Sequence, residues 1–175
     1  MKNNLSMDFS VFQENLTIVI KREFSANLDM VWMAWTEVEY IEQWWAPKPW
    51  SIKTKSWNFV PGGNWIYAMV GPHGEEHWSF ANFNSISPKT NYQFGDSFCD
   101  KNGAVNSKLP NSQWNIDFIS LGELTSVDIA IVYNSVTDLE EIIKMGFREG
   151  ISMAMNNLDD KLLELDALKE KGFMI

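Results

Sequence analysis

The sequence predicts an α+β fold: one curved antiparallel sheet of about six to seven strands, two short helices near its start and a long C-terminal helix across one face. Three observations predict it. Apolar and polar residues alternate with period two in successive segments between Leu16 and Tyr133. Short turns such as Pro61-Gly62-Gly63, Gly71-Pro72-His73-Gly74 and Pro88-Lys89 join several of these segments, which favours antiparallel neighbours. From Phe147 onward, Ile151, Ala154, Leu158, Leu162, Leu165 and Leu168 recur at steps of three and four, the stripe of one buried helix face.

The elements follow in order. Residues 1–14 read as a mixed extension, 15–170 as a single domain and 171–175 as a tail. Leu16 to Phe24 alternates Ile18, Ile20 and Phe24 against Thr17, Val19 and Glu23, a half-buried strand. A short helix spans about Leu28 to Trp35 with Asn27 as N-cap. Thr36-Glu37-Val38-Glu39 reads as the capping box of a second short helix, which Pro47 and Pro49 end. Strands are expected at Ser51–Val60 (bulged), Asn64–Val70, Glu76–Ser87, Asn91–Cys99, Gln113–Leu121 and Thr125–Tyr133. A polar loop from Asp100 to Ser112 interrupts them. Thr137-Asp138-Leu139-Glu140 reads as another capping box, opening a helix that Gly146 and Gly150 would break or kink. No internal repeat or low-complexity segment occurs.

Composition excludes several classes. The 175 residues suit one domain, and the formal net charge is −9 with no basic run. Nucleic-acid binding needs a positive footprint on phosphates, and an anionic membrane surface is disfavoured for the same reason. The single cysteine, Cys99, forbids an internal disulfide. No secretory leader pattern and no membrane-length apolar run is present, so a cytoplasmic location is the expectation. Nine Trp, eleven Phe and four Tyr supply more ring surface than a core of this size needs, and some of it is expected to line a ligand space.

Specific segments then resemble one family. Ala34-Trp35-Thr36-Glu37 with Gln43-Trp44-Trp45-Ala46-Pro47, Pro61-Gly62-Gly63-Asn64-Trp65-Ile66-Tyr67-Ala68-Met69, Gly71-Pro72-His73-Gly74, Ala81 to Pro88, and Gly146-Phe147-Arg148-Glu149-Gly150 occur in the order of a known signature set. They resemble the activator-homologue branch of the START-like SRPBCC superfamily, named after the activator of the ninety-kilodalton heat-shock-protein ATPase. Val38, Ala46, Ala81 and Ser85 depart from the usual pattern. The resemblance implies a helix-grip (START/Bet v-like) fold and a cavity between the sheet and the long helix. The family name does not carry chaperone activation with it.

The search for chemistry is short. His73-Gly74-Glu75-Glu76-His77 matches the letters of H-x-x-E-H, but that zinc chemistry needs a helix. Here Pro72 and Gly74 make a turn, so no metal site and no cofactor is expected. Asp100, Asn102 and Gly103 lack the spacing of a calcium loop, no phosphate-binding loop is present, and Cys99 has no histidine nearby in sequence. His77 is a weak catalytic candidate, provided that His77, Ser79, Ala81 and Phe83 form the inward face of their strand.

The expected ligand-binding residues are Trp35, Trp44, Trp65, Tyr67, Met69, His77, Phe83, Tyr92, Trp114, Phe118, Met153 and Asn157, with Tyr67, His77 and Asn157 as polar anchors. The cavity's roof is expected along Phe147–Leu168 and its floor on Trp65, Tyr67 and Trp114. The favoured function is binding of a small apolar or aromatic molecule. A co-chaperone-like interaction domain and a cyclase- or dehydratase-type enzyme using His77 are the alternatives, and a weak homodimer is compatible with the sequence.

Overall fold

The computed structural model describes residues 7–175. The strands are β1 (Met7–Phe12), β2 (Thr17–Phe24), β3 (Ser51–Trp57), β4 (Asn64–Val70), β5 (Glu76–Ser87), β6 (Asn91–Cys99), β7 (Ser112–Leu121) and β8 (Leu124–Tyr133). Helices α1 (Leu28–Thr36) and α2 (Val38–Ile41) follow β2; α3 (Val136–Lys144) and α4 (Phe147–Glu170) follow β8. All eight strands form one antiparallel sheet in the order β1-β2-β8-β7-β6-β5-β4-β3. The expected α+β helix-grip architecture is the observed one. Among the described residues no helix is long and apolar enough to cross a membrane.

The eighth strand is β1, drawn from the segment read as an extension; residues 1–6 of that segment lie outside the described residues. Its six residues pair with β2 from Met7↔Arg22 to Phe12↔Thr17. Tertiary contact holds it: the Phe9 ring lies 6.2 Å from that of Phe147, and the Arg148 guanidinium sits 5.2 Å from the Phe9 ring centre. Strand β3 ends at Trp57, short of the expected Val60, and carries its bulge between Thr54 and Ser56.

The helix starts need correction in two places. Asn27 caps α1 as expected, its side chain accepting from the Met30 N–H at 3.0 Å. Thr36, however, does not cap α2. It ends α1, with its hydroxyl donating back to the Trp32 carbonyl. Nor does Thr137 open α3: Ser135 does, accepting from the Asp138 N–H at 3.0 Å. The hydroxyl two residues earlier sits where the chain is still extended, as a cap requires. Gly146, at φ 89°, breaks the chain between α3 and α4, whereas Gly150 remains inside α4.

The inner face of the sheet and α4 enclose the core. Ile151, Ala154, Met155, Leu158, Leu162 and Leu165 are the buried apolar residues of α4. Arg22 of β2 crosses this layer to pair with Asp159 of α4, and it also donates to Asn156 at 3.0 Å. A long side chain that reaches its partner inside the apolar layer avoids leaving a bare charge there.

Candidate functional site

Alternation along four adjacent strands points side chains into one corner of this interior. Met69 and Tyr67 come from β4, His77 and Ser79 from β5, Asp96 and Phe98 from β6, Ser112 and Trp114 from β7. Tyr133 closes the row from β8, and Ile142, Met145, Phe147, Gly150, Ile151 and Ala154 cover it from the α3–α4 corner. Trp45, Pro47 and Pro110 fill the sides. The cavity is half open to solvent and has a volume of about 270 Å³. The roof is therefore the first two turns of α4 with the end of α3, not the whole Phe147–Leu168 stripe; Leu158, Leu162 and Leu165 pack into the core.

The walls are ring-rich. The Trp45 and Trp114 centroids are 5.9 Å apart, and Phe147 meets Trp114 edge-on at 6.0 Å and 89°. Trp45 Nε1 donates to the Tyr67 hydroxyl at 2.9 Å, and Trp114 Nε1 donates to Ser112 Oγ at 3.1 Å. These bonds anchor the rings in fixed orientations. Burial raises the Tyr67 and Tyr133 phenols above their ordinary range, and the nearby Asp96 charge raises both further.

Asp96 is the unexpected member. The pairing sets it directly opposite Ala81 on β5 and Ser112 on β7, and Ser112 opposite Tyr133 on β8. Burial pushes its carboxyl up to about 7. The sequence carried a usable signal: Asp96 continues the Tyr92, Phe94 alternation by one more step. Trp45, not its neighbour Trp44 of the same Gln43-Trp44-Trp45 segment, is the ring that reaches the cavity.

The expected residues divide accordingly. Tyr67, Met69, His77 and Trp114 border the cavity. His77, Ser79, Ala81 and Phe83 do form the inward face of β5, but His77 sits exposed at the rim, its ring 5.3 Å from Trp50. Trp65, Phe83 and Tyr92 surround a second void of only about 10 Å³, roughly the room of a single water, so these rings are packing. Trp65 stacks on Tyr67 at 3.9 Å. Trp35, Trp44 and Phe118 are core: Trp35 lies 4.7 Å from Trp44 and 5.9 Å from Phe118.

Met153 is 44% exposed on the outer side of α4, one position off the buried stripe. Asn157 points to backbone instead of the cavity, donating to the Ala46 carbonyl at 3.0 Å and fastening α4 to the loop after α2. His73 lies in the β4–β5 turn, and among the described residues no group of three His, Cys, Asp or Glu side chains is placed to hold a metal ion. Cys99 borders a shallow outer depression beside the loop, its thiol pushed up by burial.

Comparison with known proteins concerns the family and the fold. A family model described as activator of Hsp90 ATPase homolog 1-like protein matches residues 25–163. No curated protein matches the chain. A solution structure of a protein from Arthrobacter aurescens is similar at TM-score 0.85 and 27% identity, covering 90% of this chain and 91% of that one. A crystal structure of a protein from Mycobacterium smegmatis is similar at TM-score 0.83 and 26% identity, covering 90% and 96%. A more distant likeness, to a protein from Silicibacter pomeroyi at TM-score 0.68 and 14% identity over 84% and 97% of the two chains, concerns the fold alone.

Proposed function

The chain belongs to the activator of Hsp90 ATPase homolog 1-like family, and within that fold we propose that it binds a small apolar or aromatic molecule in the cavity beneath the α3–α4 corner. One observation carries the reading: a space of about 270 Å³, walled mainly by rings and aliphatic side chains, with a few polar groups converging on it. Ligand pockets have this composition. The volume lies just under the roughly 300–1,000 Å³ of pockets for drug-sized molecules, and an apolar cavity of about 150 Å³ already accepts benzene. A molecule of one or two rings suits it.

The position of His77 weighs against the enzyme reading. Its imidazole is exposed at the rim, with its ring 5.3 Å from Trp50, rather than set inside the cavity where a bound molecule would be enclosed.

Naphthalene, neutral and two-ringed, is the direct probe. Isothermal calorimetry should show one site per chain. Ala154→Phe, which builds a ring into the roof, should abolish the heat while circular dichroism stays native. A native chain that takes up no naphthalene would sink the reading.

A further inference from the structure

The second step rests on the cavity being a ligand site. From the placement of one carboxyl inside it, we infer that the cavity selects ligands carrying a protonated amine, with Asp96 as the group that receives the ammonium. Asp96 borders the cavity and lies between Ala81 and Ser112 in the sheet. Among the described residues its carboxyl has no hydrogen-bond or ion-pair partner at the distances those contacts require. It is half-buried on the cavity wall, where the solvation of a charge is reduced and no cationic side chain of its own chain lies against it.

The walls agree with that partner. No Lys or Arg borders the cavity, so a carboxylate ligand would find no permanently cationic side chain on its walls and would sit against the Asp96 carboxyl. Trp45, Trp114 and Phe147 line it instead, and the faces of such rings attract cations. The formal net charge of −9 biases the surrounding field the same way. A neutral hydroxyl or carbonyl ligand would gain a hydrogen bond from protonated Asp96 but would leave the ring faces without a charge to attract. An ammonium uses both.

The consequence is a proton exchange. The alkylammonium enters, the Asp96 carboxyl O–H breaks as its proton passes to the buffer base, and carboxylate and ammonium pair; no other bond changes. Other titratable groups lie near Asp96: Tyr67 from β4, Tyr133 from β8 and His77 at the rim of β5 line the same cavity, and Cys99 sits further along β6 on the outer depression. Helices α3 and α4 contribute Ile142, Met145, Phe147, Ile151 and Ala154 to the cavity, none of them ionisable.

The test compares three six-carbon probes, hexylamine, hexan-1-ol and hexanoate, by isothermal calorimetry in buffers of different ionisation enthalpy. Hexylamine should bind about ten- to a hundredfold more tightly than hexan-1-ol near neutral pH, and hexanoate should not bind. Its affinity should rise from about pH 5 to about pH 8 and then level off, with fractional proton release on the acid side. Asp96→Asn should bring hexylamine down to the level of hexan-1-ol and remove the proton release; His77→Gln should leave the release in place. Equal binding of amine and alcohol to the native chain overturns the inference while leaving the cavity reading intact. So does an amine preference that survives Asp96→Asn. If neither hexan-1-ol nor naphthalene binds, the cavity reading fails and this inference fails with it.

Discussion

Asp96 shows what a single half-buried carboxyl does to the pH response of the whole chain. An aspartate has an ordinary value of 3.8, and this one is pushed up to about 7 in the fold. The folded chain therefore holds this proton where the unfolded chain has released it. The group's contribution is fully present below about pH 4, declines as pH rises through about 7, and is a constant penalty above that. Asp96→Asn should be about 1–3 kcal/mol more stable than the native chain at pH 8 and no more stable at pH 4, measured by urea denaturation at both values.

Arg22 gives the opposite lesson at the same scale. Its pairing with Asp159 joins β2 to α4 inside the apolar layer. Arg22→Met should destabilise by about 3 kcal/mol, and adding Asp159→Leu should restore most of that, in a double-mutant cycle. Neither residue stood out in the sequence. Alternation says which side chains turn inward, but it does not say whether an inward charge meets a partner, as Arg22 does, or a cavity, as Asp96 does.

Strand positions were legible because period two and turn residues are local properties: Asn64–Val70, Glu76–Ser87 and Asn91–Cys99 fall where the pattern puts them. Helix starts were less legible, since Thr36 and Thr137 satisfy the spacing of a capping box while the backbone places the helix boundary elsewhere. Strand β1 was not legible at all. Its pairing depends on the free edge of β2 and on Phe147, both far from it in sequence. The two glycines of the α3–α4 corner separate by conformation alone. Gly146 occupies φ 89°, so Gly146→Ala should lower stability by about 1 kcal/mol or more. Gly150 lies within α4 with Pro47 4.0 Å from a would-be Cβ, so Gly150→Ala should raise stability by about 0.5–1 kcal/mol. Thermal denaturation of the two variants checks both signs.

Across the whole molecule the aromatic surplus splits into two uses. Around Trp35, Trp44, Phe118 and Phe83 it is dense packing; around Trp45, Trp114 and Phe147 it borders open volume. Composition announced the surplus but not the division, because a ring in a wall and a ring in a core obey the same alternation. The sheet order has one further consequence, for the order of events during synthesis. Strand β2 lies between β1 and β8, with Thr17 opposite Val132 and Phe24 opposite Thr125. Strand β2 leaves the ribosome before every strand from β3 to β8 and thus waits for the last of them before its inner edge is covered. Contacts this remote slow folding and leave an unpaired edge exposed meanwhile. Nascent chains stalled before Thr125 should be cut by trypsin at Lys21 and Arg22, and chains in which β8 has cleared the ribosome should resist.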